Sequence, residues 1–489
     1  MTQDSQPKPP AEKRRPKPGL LIATLALSVM LSAFESSMVY VALPSLIGVF
    51  DVGADQIAWT VTVYLLVSAS SAALGGRLGD LYGRRRVLII VCILAGVGSI
   101  VSVVGGGLAM LILGRAIQGT AGAVFGLAFG LAREHLPSKR VPVAVSLIGG
   151  SALLAGAAGG LIAGSLLQFF GWASIFFFAA LFAVVTVIVS LIVLPRDTGA
   201  RKRGPLDLIG AVVMPVAISA ILLAITLVQT VGAASITFIG LLAFGIAALI
   251  GWVIWELRVK HPIVNVRLFK SRSVAVPMGS AFLLALGPAG GSVIVLQIIQ
   301  QYPLGTDGGL GLSPATAGGL GAIAAVLAFA LSPVGGMIAR RHGARSVFIL
   351  AAALQTFPLL LVIFFLGNFW CTMAAVLCVT IGSALNVGAI ANVLFDAVSA
   401  ANSSEITGTS TTVTSIGLSA ATAIAGVVLA LFAAPETGLI SGTGFLVSLG
   451  YMTVIGTLSV LLGFFIPKRK ASEHPAEGEE LVTTLPGAA

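Results

Sequence analysis

The sequence predicts an all-α polytopic membrane protein, and three observations lead to that prediction. Of the 489 residues, 57% are hydrophobic and only 9% are charged, whereas soluble proteins carry about a quarter charged residues. Apolar runs of about twenty or more residues recur along the chain, which is the length that a helix needs to cross a bilayer. These runs lack the alternating pattern of barrel strands, and lipid offers no partner for unpaired backbone amides, so helices are the expected spans.

The apolar runs divide the chain into fourteen predicted transmembrane helices joined by short polar loops. Both tails, and the two loops that flank the inserted helices, are expected to be cytoplasmic. The tails are also expected to be disordered because of their polar, Pro-containing composition. The predicted parts are a tail (1–18), a six-helix bundle (19–194), a loop (195–206), two inserted linker helices (207–256), a loop (257–272), a second six-helix bundle (273–466) and a tail (467–489).

The basic residues provide an independent test of this segmentation. If both termini are cytoplasmic, 27 of the 28 Lys and Arg residues fall in predicted cytoplasmic segments. A miscounted span would have spread them over both sides, so the pattern supports an even number of spans. The net charge of +10 is therefore explained by membrane orientation rather than by a nucleic-acid partner. The remaining basic residue, Arg115, lies inside the fourth predicted span.

An internal repeat links the two predicted bundles. Residues 76–85, after the second span, and residues 336–345, after the tenth, both place two glycines with six residues between them ahead of arginines. Six helices, two inserted helices and six more helices account for this register. Internal repeats with a site between the halves are typical of transporters. The alternative is two unrelated turns that share glycine and arginine by chance.

Four stretches resemble the major facilitator superfamily, and in particular its fourteen-helix drug:proton antiporter branch. Residues 76–87 (GRLGDLYGRRRV) are similar to the signature loop of that superfamily. Residues 115–119 (RAIQG) resemble the R-x-x-Q-G motif of the branch, and residues 59–66 (WTVTVYLL) resemble its W-x(4)-Y-L-L motif. Residues 35–44 resemble its first-span motif, with Glu35 in place of the usual Asp. The residues that carry the first two matches are Gly76, Asp80, Gly83, Arg84, Arg85, Arg115, Gln118 and Gly119.

The resemblance implies a major facilitator fold with two six-helix bundles and two inserted linker helices. It also implies export driven by the proton motive force, with no bound cofactor. The fifth-span glycines Gly156, Gly159 and Gly160 match a small-residue antiporter motif, but the Pro usual in that motif is absent. Antiport therefore stays open against another mode of coupling. These glycines also suit plain close helix packing, which is compatible with a mobile seam.

Glu35 is the first candidate for the transport chemistry. It lies about 22 Å from the cytoplasmic end of the first span at 1.5 Å per residue. A charged carboxylate at that depth is costly, so a group that is neutral in one state and charged in another could bind a proton or a cation. Coupling or substrate binding is the functional interpretation. The alternative is a structural carboxyl hydrogen-bonded to a neighbouring helix.

Arg115 is the second candidate, because an arginine inside a span requires acceptors or a wet cavity. Glu35 is one possible partner, and substrate binding could then switch the pair. A structural bridge through Gln118 and backbone carbonyls is an equal alternative.

Asp80 opposes the positive-inside pattern at the membrane edge. By resemblance it would help to latch the two halves in an outward-open state, where a carboxylate could face an arginine or a helix N-terminus. The sequence around Pro288 interrupts the ninth span, which suggests a gating hinge. The hinge candidates are Gly287, Pro288, Gly290 and Gly291. The candidates to line a cavity, with helix-to-helix hydrogen bonds as an alternative, are Trp59, Tyr64, Gln297, Gln301 and Asn386.

The leading functional prediction is proton-linked export of small lipophilic or cationic molecules across a bacterial inner membrane. A dedicated exporter of an endogenous metabolite or cell-envelope lipid is the alternative within transport. A membrane receptor or intramembrane enzyme is remote, because neither a large soluble segment nor a cluster of catalytic residues is present. No G-x(4)-G-K-[ST] motif or metal-ligand spacing occurs, so neither a nucleotide nor a metal is expected. The oligomeric state is open, with a monomer expected.

Overall fold

The computed structural model describes ten stretches of the chain, and every structural statement below refers to them. The predicted disordered tails lie almost wholly outside these residues, as does most of the 195–206 loop. The described residues are 17–52, 54–57, 59–196, 207–232, 234–259, 262, 266–304, 308–398, 403–432 and 440–467.

The described chain is helical throughout its long apolar segments. Two short 3₁₀ turns, at Gly119–Ala123 and Val266–Lys270, and one π-helical turn, at Ala285–Ala289, interrupt or connect α-helices. The α-helices are α1 (Pro18–Phe50), α2 (Ala54–Ile57), α3 (Trp59–Tyr82), α4 (Arg84–Val104), α5 (Leu108–Gln118), α6 (Val124–His135), α7 (Val141–Phe170), α8 (Ala173–Val193), α9 (Leu208–Val231), α10 (Ile236–Arg258), α11 (Arg272–Leu284), α12 (Gly290–Gln301), α13 (Pro314–His342), α14 (Ala344–Thr356), α15 (Pro358–Phe364), α16 (Phe369–Ala397), α17 (Ser403–Leu431) and α18 (Gly442–Gly463).

These helices confirm the predicted all-α membrane class. Among the described residues, eleven helical stretches are long and apolar enough to cross a bilayer, or twelve when the bent α3 is counted. Each of the fourteen predicted spans contains helix, but the count of fourteen membrane crossings stays a prediction. Three of the predicted spans consist of two longer helical pieces: a 3₁₀ turn separates α5 from α6, the π turn separates α11 from α12, and Phe357 separates α14 from α15.

The predicted repeat marks two equivalent places in the fold. Residues 76–82 were expected to lie in a loop after the second span, but they form the last two turns of α3. The connection to α4 is Gly83 alone, with a φ of 101°. Gly343 joins α13 to α14 in the same way, with a φ of 85°. Glycine tolerates these positive φ values without a Cβ clash, so each helix pair turns at a single residue.

The helices pack as two halves, α1–α8 and α11–α18, that meet along two seams. Helix α7 of the first half packs against α13 and α16 of the second, and α3 and α6 pack against α17. Helices α9 and α10 pack on each other, and α9 also contacts α3 and α17. Gly83 and Gly343 lie at the same end of this bundle, which is called the basic end below because the arginines of both turns are there.

Candidate functional site

Arg115 is the centre of a buried polar network in the first half, and it is 1% exposed. Its Nε donates to the carbonyl of Thr60 (3.0 Å), and its Nη1 donates to the carbonyl of Glu35 (2.8 Å) and to Oε1 of Gln118 (2.7 Å). Gln118 in turn donates to Oγ of Ser99 (2.6 Å). The network therefore ties α1, α3, α4 and α5 together through neutral acceptors.

Small residues bring these helices close enough for the network to form. A methyl group built at Gly98 of α4 would lie 2.7 Å from the carbonyl oxygen of Gly114 in α5. A methyl at Gly119 would lie 2.8 Å from the carbonyl of Tyr64 in α3. Glycine at these three positions allows close backbone approach, as small residues commonly do between helices in membranes.

Glu35 lies in α1 beside this network and is 2% exposed. Neither of its carboxyl oxygens has a hydrogen-bond partner among the residues that the structure describes. Arg115 contacts the main-chain carbonyl of Glu35 and makes no hydrogen bond to the carboxyl group. An ionised carboxylate without donors would be costly in such surroundings. The Glu35 carboxyl can therefore gain or lose a proton without breaking any hydrogen bond of the Arg115 network.

Two aromatic residues expected to line a cavity occupy different environments. Tyr64 is buried in α3, where its ring centroid lies 4.2 Å from Cζ of Arg115 and its hydroxyl donates to the carbonyl of Ser32 (3.1 Å). Arg115 and α1 cover Tyr64 in this conformation, which agrees with the alternative of a helix-to-helix hydrogen bond, and a place for Tyr64 in the lining of a cavity stays a prediction. Trp59, the first residue of α3, is partly exposed.

Asp80 and Arg84 form an ion pair at the basic end of the first half. Nη2 and Nε of Arg84 donate to Oδ1 of Asp80 at 2.9 and 3.0 Å, and both side chains are buried. Nη1 of Arg84 also reaches the carbonyl of Gly130 (3.1 Å) and Oε2 of Glu134 (3.3 Å) in α6. Arg84 therefore fastens the α3–α4 turn to α6, and Arg85 donates to the carbonyl of Leu191 in α8 (2.8 Å).

Arg133, which the sequence did not single out as a candidate, bridges the two halves at the same end. It lies in the last turn of α6, and its Nη2 donates to the carbonyls of Phe395 (2.6 Å) and Val398 (2.8 Å). Its guanidinium also lies over the Phe395 ring, 4.7 Å from the centroid. Carbonyls at a helix C-terminus lack intrahelical donors and carry partial negative charge, so an arginine there is stabilising. In the sequence Arg133 is one more basic residue in a loop that is predicted to be cytoplasmic, and nothing in the sequence indicates a partner in α16.

The basic end is closed by close packing between the halves. A methyl built at Gly336 of α13 would lie 2.3 Å from Cα of Val143 in α7. A methyl at Gly150 would lie 2.6 Å from Oγ of Ser332, and one at Gly388 of α16 would lie 2.5 Å from Oγ of Ser146. The halves therefore interlock wherever these residues meet.

The opposite end of the same seam is open. No heavy atom lies within 4 Å of the position that a side chain would occupy at Gly156, Gly160 or Gly164 of α7. The same holds for Gly318 and Gly321 of α13. By contrast, Gly159 packs against α1, where a methyl would meet Oγ of Ser37 at 2.3 Å. The two halves thus interlock at the basic end, whereas these glycines at the other end of α7 and α13 touch no facing helix in the described part of the chain.

The remaining polar candidates lie in the second half. Gln297 and Gln301 share one face of α12 and line a cavity of about 280 Å³ with Ile294, Ile298, Tyr302 and Pro303. Asn386 of α16 is not among those residues, and its Oδ1 is buried without a hydrogen-bond partner. The structure therefore brings the two glutamines together but does not join Asn386 to them.

The hinge candidates form the π turn between α11 and α12. Gly287 has non-helical dihedrals (φ −102°, ψ −111°), and Pro288 follows it. Oγ of Ser292 donates to the carbonyl of Pro288, which lies within the break. A methyl built at Gly291 would lie 2.2 Å from Cε of Met452, so α18 packs directly against the broken segment. The geometry is a helix break, and its use as a hinge remains a prediction.

The described residues contain no group of three or more His, Cys, Asp or Glu that could hold a metal ion. Among the described residues, the buried acidic and basic side chains at the centre of the first half are Glu35 and Arg115. What this arrangement offers chemically is one carboxyl group that can exchange a proton, together with a fixed positive charge.

Comparison with known proteins identifies the family. The sequence profile of the Major Facilitator Superfamily matches residues 25–299, which is more than half of the chain. A tetracenomycin C resistance and export protein of Streptomyces glaucescens is 26% identical over 310 residues, covering 63% of this chain and 56% of that protein. A riboflavin transporter of Clostridioides difficile (strain 630) is 22% identical over 344 residues, covering 70% of this chain and 72% of the other.

The matched region spans about half the length of several curated relatives. Among solved structures, the proton:xylose symporter XylE superposes with a TM-score of 0.62 at 16% identity, covering 92% of this chain and 96% of that one. That likeness, at 16% identity, concerns the fold alone. Together with the profile match, it shows that the chain belongs to the major facilitator superfamily and is a membrane transporter.

Proposed function

We propose that this protein is a secondary active transporter that exports lipophilic or cationic small molecules in exchange for protons. The basic end is then cytoplasmic, in a bacterial inner membrane, and the conformation described here is outward-open. A membrane potential of 100 mV contributes about 2.3 kcal/mol for each charge moved, so proton entry can drive export without ATP.

The observation that carries the proposal is the buried carboxyl group of Glu35. It has no hydrogen-bond partner in the described part of the chain, and the donors of Arg115 are directed to carbonyl and amide oxygens instead. A structural carboxyl would be expected to have donors, because buried polar groups nearly always do. A carboxyl that is left without donors while a neighbouring arginine is satisfied elsewhere is suited to reversible protonation.

The test uses purified protein in liposomes with an imposed pH gradient and a fluorescent lipophilic cation as the probe. Glu35→Gln removes the proton site while keeping size and polarity. We expect it to abolish gradient-driven flux and to retain exchange of labelled for unlabelled probe, since exchange requires no net proton movement. The matched control is Asp51→Asn, an exposed acid directly after α1, which should leave both rates unchanged. Undiminished gradient-driven flux in Glu35→Gln would refute the proposal.

A dedicated exporter of an endogenous metabolite is the second candidate. One relative, which is named as a riboflavin transporter, favours this candidate. The match to this chain covers 72% of that relative's length. The two candidates differ in breadth of substrate. Deleting the gene and measuring susceptibility to a panel of unrelated lipophilic compounds separates them: broad sensitisation supports drug export. Unchanged susceptibility with accumulation of a single metabolite supports the dedicated exporter.

A further inference from the structure

The two inserted helices form a fixed hairpin. Asp207, directly before α9, accepts a hydrogen bond from Nε1 of Trp255 in α10 (3.0 Å to Oδ2) and another from the backbone nitrogen of Gly210 (3.0 Å to Oδ1). Further along the pair, a methyl built at Gly245 would lie 2.7 Å from Cγ1 of Ile221. The hairpin is thus tied at its basic end and closely packed beyond it.

One face of this hairpin covers the seam between α3 and α17. Met214 and Ile218 of α9 and Trp252 of α10 are buried in a single apolar cluster. The same cluster includes Ala69 of α3, from the first half, and Ile416 of α17, from the second half. The inserted pair therefore spans the line along which the two halves meet.

Beneath the hairpin the two halves are hydrogen-bonded to each other. Oγ1 of Thr412 in α17 donates to the carbonyl of Ala69 in α3 at 2.9 Å. Thr412 also reaches the carbonyl of Gly408 in its own helix, at 3.2 Å, so it has an acceptor when the halves part. The α3–α17 seam can therefore open without leaving this hydroxyl unsatisfied, and a cover over the seam then faces the opening.

The α7–α13 seam has no such cover. The described parts of α9 and α10 share no apolar cluster with α7 or α13. Met337, the neighbour of the interlocking Gly336, is 47% exposed. At the basic end of this seam the described residues therefore leave an apolar side chain, Met337, uncovered beside the contact between the halves.

We propose that the inserted hairpin seals the α3–α17 seam against the bilayer, so that lipophilic substrates in the inner leaflet enter between α7 and α13. This proposal rests on the proposed export function for its direction. When the basic end opens, both seams part, but apolar solutes in the leaflet have access only to the uncovered one. The exposed side chain beside this seam, Met337, is apolar, which suits contact with a lipophilic cation partitioned into the leaflet.

The test compares two added tryptophans at similar depth. Met337→Trp narrows the uncovered seam, and Val212→Trp adds the same bulk on the lipid-exposed face of α9, where Val212 is 62% exposed. With tetraphenylphosphonium in proteoliposomes, we expect Met337→Trp to lower the initial rate of gradient-driven transport several-fold and Val212→Trp to leave it unchanged. Equal effects of the two variants, or no effect of Met337→Trp, would overturn the proposal.

A second measurement on the unaltered protein does not depend on transport. A diazirine-bearing hydrocarbon is photoactivated in the vesicles, and labelled peptides are mapped by mass spectrometry. We expect label on α13 around Met337 and none on Ala69 or Ile416; label on those two residues would show that the hairpin does not seal the seam. If the unaltered protein transports no probe under a pH gradient, the proposed export function fails, while the labelling result still decides whether the seam is sealed.

Discussion

The two halves of the molecule use different chemistry for their buried polar groups. The first half buries five charged side chains, whereas the buried polar side chains in the described part of the second half are all Ser, Thr, Asn or Gln. The second half instead contains the broken span at the π turn. Within one repeated fold, the buried charged side chains are therefore concentrated in the first half, and the broken helix lies in the second. The buried charged residues of the first half are Glu35, Arg77, Asp80, Arg84 and Arg115.

The repeated turns show the same division on a smaller scale. Both turn at one glycine, and the arginine two residues later bonds a carbonyl near the end of the sixth helix of its own half: Arg85 to Leu191, and Arg345 to Phe464. Arg340 occupies the repeat position of Asp80, and Ala344 that of Arg84. The repeat therefore keeps the backbone geometry and one anchoring bond, while the Asp80–Arg84 pair belongs to the first half alone.

The largest expected effect concerns the central charge of the first half. Arg115→Met should abolish transport and lower the free energy of unfolding by roughly 3 kcal/mol, because buried acceptors lose their donors. Thermal unfolding in detergent, monitored by circular dichroism, measures the loss of stability. The control, Arg341→Met, removes an exposed arginine of the second half and should change neither quantity. A stable, active Arg115→Met protein would mean that the first half does not depend on its buried charge.

The second largest effect is expected when equivalent positions of the two turns are substituted and their transport rates are compared. Asp80→Ala should reduce transport several-fold while membrane insertion stays normal, since it removes the acceptor of two Arg84 hydrogen bonds. Arg340→Ala, at the exposed equivalent position, should leave transport unchanged. Initial rates in proteoliposomes, normalised to inserted protein, provide the comparison. Equal losses in the two variants would contradict the division between the halves.

A smaller effect is expected at the contact that joins the halves. Arg133→Ala removes two hydrogen bonds to α16 carbonyls and should shift the population towards a conformation open at the basic end. Spin labels at the ends of α6 and α16 measure that shift as a longer distance by pulsed electron resonance. Arg133→Lys, which keeps the charge but not the planar guanidinium, should be intermediate. An unchanged distance distribution in Arg133→Ala would show that packing alone closes this end.

The smallest effects should be equal in the two halves. Arg85→Ala and Arg345→Ala both remove the bond to the carbonyl at the end of the sixth helix, which is worth about 1 kcal/mol. Chemical unfolding of each variant in detergent gives the two changes in stability. A difference of more than about 1 kcal/mol between them would show that the shared anchor is not equivalent, despite its matching geometry.

Much of the fold could be predicted from the sequence because the bilayer imposes it. Span length, apolar composition and the distribution of arginines follow from simple transfer and orientation rules. The helical state of residues 76–82 was missed because their polar composition is that of a loop, whereas in the structure Asp80 and Arg84 satisfy each other and allow α3 to continue. Local composition does not reveal a tertiary ion pair.

The sequence identified the residues of the candidate site, but it did not predict which groups they contact. Glu35 and Arg115 were identified because charge within an apolar run is rare. Which acceptors satisfy Arg115 depends on how closely α1 and α3 approach α5, for example where Gly119 meets the carbonyl of Tyr64, and this depends on packing between elements distant in sequence. The same reason explains why Arg133 and its α16 partners could not be found in the sequence.

The glycines of α7 and of the helices that face it differ in how well they would tolerate substitution by a larger residue. At Gly336 and Gly388 even a single methyl would collide with the facing helix, so related proteins that close in this way are expected to keep glycine there. At Gly156 and Gly160 nothing occupies the adjacent space, and larger residues can be accommodated. Sequence drift is thus restricted where the halves interlock and tolerated where they stand apart. Substitutions at the open positions of α7 are therefore expected to change the surface between the halves without disturbing the closed end.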